Sequence, residues 1–476
     1  MTSTNTRVTK VIHELRDILL SNSSEEAFDC IHALLLLRFL SAQLEDASQN
    51  ASVQVPPQAQ WPYLRRQFDA IDSALEVALK QLISFNTDVF PSFLAELTPP
   101  MSTQDSTSFS RNVLPQVITS LSIPLTLGEI TKIHNQLAGY VEKDRKVLGT
   151  FSEPMQLSRL LAQLLEPSPT MTIHDPTCGL GNTLLAFANA ARDASQQEGY
   201  SPNISGQDVD CRVAARCYIN LYLNGVTAPT ITCSNTLTSP ALRDVAKKVL
   251  AKFDIVVGSP PFSLRLKDDL ESDPYNRFVF AAPSKHHVEF AFLQHWVAAI
   301  EEGGRGAIVV PQGVLFRSGV EERGRKALLT SDLVEAVISL PSNLLAYTAI
   351  SVAILILNKA KAKPRRDKVL FVDASECYQK QRGQNLLQDV HISRIVDAYK
   401  AFADEEGFAR VADLTTIAEN NYQLSVNLYT VAFEDATFSA DVLAKQQALE
   451  TAERALAKAQ KAMDDAIQAL GFDSKD

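Results

Sequence analysis

The spacing of apolar residues divides the chain into three textures. Residues 1–145 read as a helical N-terminal domain: Val8–Leu20 and Ala27–Leu44 carry apolar residues at helical spacing, most densely over His32–Leu40. Loops rich in Pro, Ser and Gln, Ser48–Pro62 and Thr98–Thr107, interrupt them. In residues 146–430 the apolar runs shorten and alternate with helical stretches. Strands are expected at Thr170–His174, Asn203–Gln207, Thr230–Cys233, Phe253–Val257, Gly306–Val310, Val334–Leu340, Ser351–Leu357 and Val369–Val372. Helices are expected at Thr183–Arg192, Cys211–Asn224, Ser239–Ala251, His286–Glu302 and Val320–Thr330. This alternation predicts an α/β fold, an open and mostly parallel sheet with helices on both faces. In residues 431–476, Val442, Leu449, Leu456, Met463 and Leu470 recur every seven positions, with Ala452, Ala459 and Ala466 three beyond the middle members. That pattern predicts a C-terminal coiled-coil-like helix. It either folds onto its own domain or pairs with a partner helix, and a seam ~43 Å long favours the partner.

Composition narrows the class. The 476 residues suit two or three domains, and 46% hydrophobic with 21% charged residues is ordinary for a soluble globular chain. No amino-terminal signal pattern is visible. The apolar run Ala336–Leu357 is broken by Pro341, Ser342, Asn343 and Thr348, so no membrane span is expected. Six cysteines without CxxC pairing suit a reducing cytoplasm and argue against structural zinc. A formal charge of −10 is unhelpful to a stand-alone DNA binder, because phosphate neutralisation supplies most of that affinity.

Candidate chemistry gathers at the expected strand ends. After Phe253–Val257, the turn Gly258-Ser259-Pro260-Pro261-Phe262 cannot continue as a strand, because two prolines remove two N–H donors. It offers the Ser259 hydroxyl, the Pro260 carbonyl and the Phe262 ring. A flat heterocycle could stack on Phe262 while its exocyclic amine donates to the two oxygens. The bland alternative is a proline turn. Upstream, Asp175-Pro-Thr-Cys-Gly179-Leu-Gly181 joins a strand to a helix, the layout of a nucleotide-type site. Asp208 ends the next strand, where an acidic residue commonly binds a ribose diol; the alternative is a cap for the following helix. Asp175, Asp208, Asn235 and Ser259 all fall at carboxyl ends of strands, where ligands of such sheets bind. The glycine turn and Asp208 would also suit a nicotinamide enzyme, but the amine-clamping turn would not. His286-His287 lacks further ligands at metal spacing, so no metal is expected. The basic run Lys359–Arg366 reads as a solvated loop or, alternatively, a phosphate contact.

Taken together these motifs resemble the modification subunits of type I restriction–modification systems, a family of amino-group DNA methyltransferases. The resemblance rests on Asp175–Gly181, on Gly206-Gln-Asp208 followed by Arg216–Gly225, on Phe290–His295, Gly303–Pro311, Gly313–Arg317 and Leu340–Asn343, and on the Ser259–Phe262 turn. It implies a Rossmann-like S-adenosylmethionine-dependent sheet, with cofactor contacts at Phe151, Pro154, Asp175, Thr177, Gly179, Gly181, Asp208 and Asn235. It implies catalytic roles for Ser259, Pro260, Pro261 and Phe262. The implied partners are DNA, a specificity subunit, a second copy of the chain and, as a further candidate, a restriction subunit. Three positions depart from the family pattern. Ser259 stands where Asn is usual, which is more typical of cytosine-N4 enzymes. Phe151-Ser-Glu-Pro154 stands for Tyr/Phe-Thr-Pro, and Asn235 for Asp. Adenine N6 is the expected target; the alternatives are cytosine N4 and a catalytically degenerate scaffold.

Overall fold

The computed structural model describes the chain except residues 1, 23–24, 47–52, 68–69, 99–112, 142–152, 196, 198–199, 245–248, 266–269, 271–272, 285–286, 346–349 and 382, and all of 431–476 but scattered positions between 445 and 462. Strands in chain order are β1 (Thr172–Asp175), β2 (Asn203–Asp208), β3 (Thr230–Cys233), β4 (Arg243–Asp244), β5 (Val249–Leu250), β6 (Phe253–Gly258), β7 (Ile300–Pro311), β8 (Val334–Ser339), β9 (Val352–Asn358), β10 (Lys368–Asp373) and β11 (Ala409–Asp413). Nine of them form one sheet in the order β11-β10-β8-β9-β7-β6-β1-β2-β3. It is parallel except for β9, antiparallel to β7 and β8, and β11, antiparallel to β10. Every residue of β8 and β9 is buried, which explains why they read as continuous apolar runs.

The helices of eight or more residues are α1 (Thr2–Asn22), α2 (Glu25–Glu45), α3 (Ile71–Phe85), α4 (Leu114–Leu121), α5 (Leu127–Val141), α6 (Met155–Leu165), α7 (Asn182–Ser195), α8 (Cys211–Leu223), α9 (Glu289–Ala299), α10 (Val320–Thr330) and α11 (Asp389–Ala401). The helices α6 and α11 and the strand β11 were not expected, and two of the expected elements differ from those observed for identifiable reasons. Among the described residues of Ser239–Ala251 there is no helix; β4 and β5 pair there as an antiparallel ribbon. The Ala241 N–H donates to Gln207 Oε1 and the Ala251 N–H to Leu242 O, so the stretch is folded back on itself. A helix would have held its ends ~19 Å apart. The expected helix His286–Glu302 is shorter, and β7 starts at Ile300. Gly304 and Gly306 let β7 approach β6 closely: a Cβ at either would sit 2.8–2.9 Å from Asp254 O or Val256 O.

The helical layer is fused to the sheet through α8. Arg216, on α8, is buried and donates to Asp29 Oδ1 at 2.6 Å and to Glu25 Oε2 at 3.4 Å, both on α2. Tyr218 donates to Val89 O at 2.5 Å. A single apolar cluster runs from Val8 and Leu35 through Ile219 to Ile173 and Ile354, so the core crosses residue 145 without a break. By length and composition α2 could cross a membrane, yet 89% of its most apolar window is buried inside the fold.

Cys211 and Cys233 are joined as a disulfide, with Cα atoms 5.0 Å apart. This corrects the expectation of six unpaired, reduced cysteines, because their spacing gave no sign of this pair. The pair forms because β2 and β3 are parallel neighbours, with Asp208 opposite Cys233, and α8 begins just after β2. In the last segment the described residues between 445 and 462 are helical and exposed. The heptad positions Val442, Leu449, Leu456, Met463 and Leu470 lie outside the described residues.

The Asp29–Arg216 pair carries a stability prediction. Asp29→Ala strands a buried guanidinium and is expected to cost roughly 3–5 kcal/mol. Breaking the more exposed Arg7–Glu129 pair, 3.2 Å apart, by Arg7→Ala should cost less than ~1 kcal/mol. Urea unfolding of the two variants side by side checks the difference.

Candidate active site

The site lies at the carboxyl ends of four adjacent strands, β3, β2, β1 and β6. The turn from β1 to α7 comes first. Asp175 ends β1, is buried, and its Oδ1 accepts the Thr177 N–H at 2.9 Å. The turn is pinned to β2 by the Cys178 N–H, which donates to Gln207 O at 2.8 Å. Gly179 has φ +51° and nothing within 4 Å of where a Cβ would be, so its backbone is open to a ligand. Gly181, at φ +81°, serves packing instead: a Cβ there would meet Cys217 Sγ at 2.7 Å, so this glycine lets α7 close onto α8.

Asp208 ends β2. The helix-capping alternative is taken by Asp210, whose Oδ1 accepts the Arg212 and Val213 N–H groups. Asp208 instead accepts from Gly179 N at 3.1 Å and from Asp210 N at 2.9 Å. Each carboxylate oxygen has a second lone pair, so two hydroxyls of a ligand can still be received. Asn235, just past β3, uses its carboxamide oxygen to accept from Leu237 N and Thr238 N, shaping the loop that follows. Arg277, also buried, braces this loop from behind. It donates to Thr236 O at 2.8 Å and Leu237 O at 2.6 Å, and pairs with Asp273 at 2.7 Å.

These groups enclose a cavity of about 370 Å³ lined by Thr177, Gly179, Asp208, Asn235, Ser259 and Phe292, among others. A smaller one, about 30 Å³, adjoins it and is lined by Glu153, Asp175, Thr177, Gly179, Thr183 and Ser259. Ser259 lines both; it is 7% exposed, and its Oγ has no hydrogen-bond partner. Thr177 Oγ1 and Glu153 Oε1 are likewise buried and unpartnered. Burial pushes the Asp175 carboxyl well above the usual range, and Glu153 beside it adds to the rise. Burial also raises Asp208 and Glu153.

Not every expected residue reaches the cavities. Phe151 lies outside the described residues. Pro154 caps the start of α6, its carbonyl accepting from Leu157 N and Ser158 N. Pro260 is buried, Pro261 lines the larger cavity, and Phe262 is half-buried against the core. The aromatic ring that does line the larger cavity is Phe292, on α9. The sequence marks Phe292 only as part of the motif Phe290–His295, because nothing local shows that α9 packs over β6. Glu153 was visible only as a departure between Ser152 and Pro154. Four of the five cations in the basic run Lys359–Arg366 donate to protein acceptors. Lys359 donates to Ile300 O, Lys361 to Asp332, Arg365 to Glu335 and Arg366 to Lys361 O, which removes the phosphate alternative for these four.

Residues 130–437 match the family model described as N-6 DNA Methylase. The chain belongs to the N-6 DNA methylase family. It is 32% identical over 300 residues to the type I restriction enzyme MjaVIII methylase subunit of Methanocaldococcus jannaschii, a match covering 60% of this chain and 50% of that protein. It is 26% identical to the MjaIX methylase subunit of the same organism, over 82% of this chain and 72% of that one. The chain thus spans about half the length of the first of these relatives. Its fold is that of a type I restriction–modification methyltransferase subunit from Streptococcus thermophilus, with a TM-score of 0.74 at 22% identity, covering 90% of this chain and 100% of that one.

The contact between β6 and Asp175 predicts a sharp sensitivity. A Cβ at Gly258, where φ is +140°, would fall within 2.7 Å of the Asp175 carboxyl carbon. Gly258→Ala is expected to destabilise by about 1–3 kcal/mol. Gly139→Ala, in α5 with open space around it, should instead gain up to ~1 kcal/mol of helix propensity. Denaturant unfolding of both variants checks the sign of each change.

Proposed function

We propose that this chain is the modification subunit of a type I restriction–modification complex, transferring a methyl group from S-adenosylmethionine to N6 of a flipped adenine in DNA. The observation that carries this reading is the convergence of Asp175, Gly179, Asp208, Asn235 and Ser259 around adjoining cavities, in a chain of the N-6 DNA methylase family.

The residues fit the cofactor. Gly179 leaves its backbone free of a side chain, Asp208 keeps acceptor capacity for a ribose diol, and the buried, unpartnered Thr177 Oγ1 awaits a polar group. Asp208 would hold the ribose, while Thr177, Gly179 and Asp175 would hold the amino-acid end. Bound there, the cofactor supplies an electrophilic methyl group on a positively charged sulfur. The chain's own contribution is to position and polarise the amine. An aromatic amine is a poor nucleophile, because its lone pair is delocalised into the ring. Hydrogen bonds from its two N–H groups to Ser259 Oγ and Pro260 O favour a pyramidal nitrogen and aim the lone pair. Ser259 Oγ is free to accept, because no protein group occupies it. Phe292 and Pro261 offer apolar surface to a base, in the place where Phe262 alone had been expected to do so.

Serine in place of the usual asparagine supports a second reading, methylation of cytosine N4. Reconstituting the complex, methylating plasmid DNA and identifying the modified nucleoside by mass spectrometry tests the proposal. N6-methyladenine is expected, N4-methylcytosine would move the target to cytosine, and no product with cofactor and DNA bound would mean a scaffold. Ser259→Ala is expected to lower the transfer rate by roughly 10²-fold or more while sparing cofactor binding.

Cofactor affinity should depend on pH with a definite sign. Because burial raises the Asp208 carboxyl, it loses its charge on acidification sooner than an ordinary carboxylate. Affinity for S-adenosylmethionine is therefore expected to fall on acidification, and to begin falling at a higher pH than an ordinary carboxylate would allow. Calorimetry should show Asp208→Asn already weak at neutral pH, with a shallower dependence.

The proposed partners are DNA, a specificity subunit, a second copy of the chain and a restriction subunit, in the cytoplasm. A net charge of −10 supports a borrowed DNA-reading surface. The heptad seam in 431–476 supports docking through a partner helix. Deleting 440–476 should leave a folded, cofactor-binding chain that no longer copurifies with its specificity subunit.

A further inference from the structure

Glu153 stands where the site's chemistry is least complete. It follows the segment 142–152 and precedes the Pro154 cap of α6. Two bonds hold it to the first turn of α7: Asn182 Nδ2 donates to its backbone carbonyl at 3.0 Å, and Thr183 Oγ1 donates to Oε2. Thr183 is itself held by Ser158 Oγ at 3.1 Å. The amino terminus of α7 itself favours a carboxylate there. The bond from Thr183 uses only one oxygen. The other, Oε1, is shut off from solvent without a partner, a costly arrangement unless something fills it. Across the small cavity that Glu153 shares with Ser259, the Ser259 hydroxyl is also buried and unpartnered. No hydrogen bond joins the two as they stand, but both line the same cavity of about 30 Å³, and a hydroxyl there favours the charged form of this carboxylate. An acceptor and a hydroxyl of matching capacity thus face one cavity, with no structural use for either.

We propose that Glu153 is the positioning base of the methyl-transfer site: its carboxylate accepts a hydrogen bond from the Ser259 hydroxyl, so that both lone pairs of Ser259 Oγ face the target amine, and it takes the Ser259 proton only when the methylated amine gives up its own. This rests on the methyltransferase reading above. A serine hydroxyl has one proton and two lone pairs. When that proton points at a carboxylate, both lone pairs turn to the amine and the oxygen becomes a stronger acceptor. Once the amine nitrogen has gained its methyl group it carries one proton too many. That N–H bond breaks, its proton passes to Ser259 Oγ, and the proton of Ser259 passes to Glu153 Oε1. The products are a neutral methylated amine, an unchanged serine and a neutral carboxylic acid, which returns its proton to solvent after the product leaves. A short serine backed by a carboxylate thereby does the work of a longer amide side chain.

Burial suits Glu153 to this task, because it raises the carboxyl and makes its anion a better base. The groups facing it are Thr183 from α7, Ser259 from the end of β6 and Asp175 from the end of β1, with Asp208 acting on Asp175 from β2. Among the described residues no cationic side chain is named with them.

The experiment compares wild type, Glu153→Gln and Glu153→Asp as full chains in the reconstituted complex. Glutamine keeps the size of the side chain and an oxygen for Thr183, so the fold should survive. Three quantities are read: S-adenosylmethionine affinity by calorimetry, base flipping by 2-aminopurine fluorescence in a DNA target, and the single-turnover transfer rate against pH. Glu153→Gln is expected to bind cofactor and flip the base within threefold of wild type, to transfer roughly 10²-fold more slowly, and to lose the acid limb of the wild-type pH profile. Glu153→Asp should recover part of the rate. A Glu153→Gln rate equal to wild type overturns the proposal. So does a rate that falls only in proportion to lost cofactor binding or flipping, because that marks a purely structural residue. If wild type itself transfers no methyl group, the functional reading fails, and the role of Glu153 fails with it.

Discussion

Gly258 has no side chain because the Asp175 carboxylate occupies that space. The rest of the site depends on this contact between the ends of β1 and β6. It lies where the chain leaves β1–β3 on one side and continues through β6 and β7 on the other, so loops diverge and a crevice opens. Asp175 is buried at that point at a real cost, visible in a carboxyl pushed well above its ordinary range. The Thr177 N–H recovers part of the cost, and the same bond bends the chain into the turn that presents Gly179.

Support for the crevice comes from elements far away in sequence. Arg277 braces the loop after β3, the Cys211–Cys233 disulfide ties the start of α8 to the end of β3, and Gly181 lets α7 close on α8. On the other face of α8, Arg216 binds Asp29 and Glu25 of the helical layer. A continuous apolar core behind these contacts means that the helical layer and the sheet hold one another in place. Among its described residues the layer contributes none to the cavities of the site, yet it packs on the helix that follows Asp208.

Much of this was legible in advance, for reasons that can be named. Val320–Thr330 and Thr230–Cys233 appear with the bounds that their periodicity and flanking residues suggest. Asp175, Asp208, Asn235 and Ser259 could be placed together before any coordinates, since each ends a strand of one mostly parallel sheet, and such ends share one edge. The segment Ser239–Ala251 failed because its apolar spacing suits a helix while its ends are bonded into a ribbon, and those bonds reach Gln207, far outside any local window. Asp208 could not be told from a helix cap by sequence, because Asp210, two residues on, competes for the same N–H groups.

By itself, then, the sequence determined which residues can do chemistry and on which kind of element each sits, because strand, turn and helix are settled by local spacing and by proline and glycine. Only the tertiary structure decided which of them meet. It placed β9 antiparallel between β7 and β8, set Phe292 rather than Phe262 over the larger cavity, and brought Cys211 to Cys233. Above all it carried Glu153, from a stretch that precedes the sheet, to the small cavity that Ser259 also lines. Such encounters depend on strand order and on which face of a helix is buried, and both are chosen by the burial of the whole core rather than by any local run of residues.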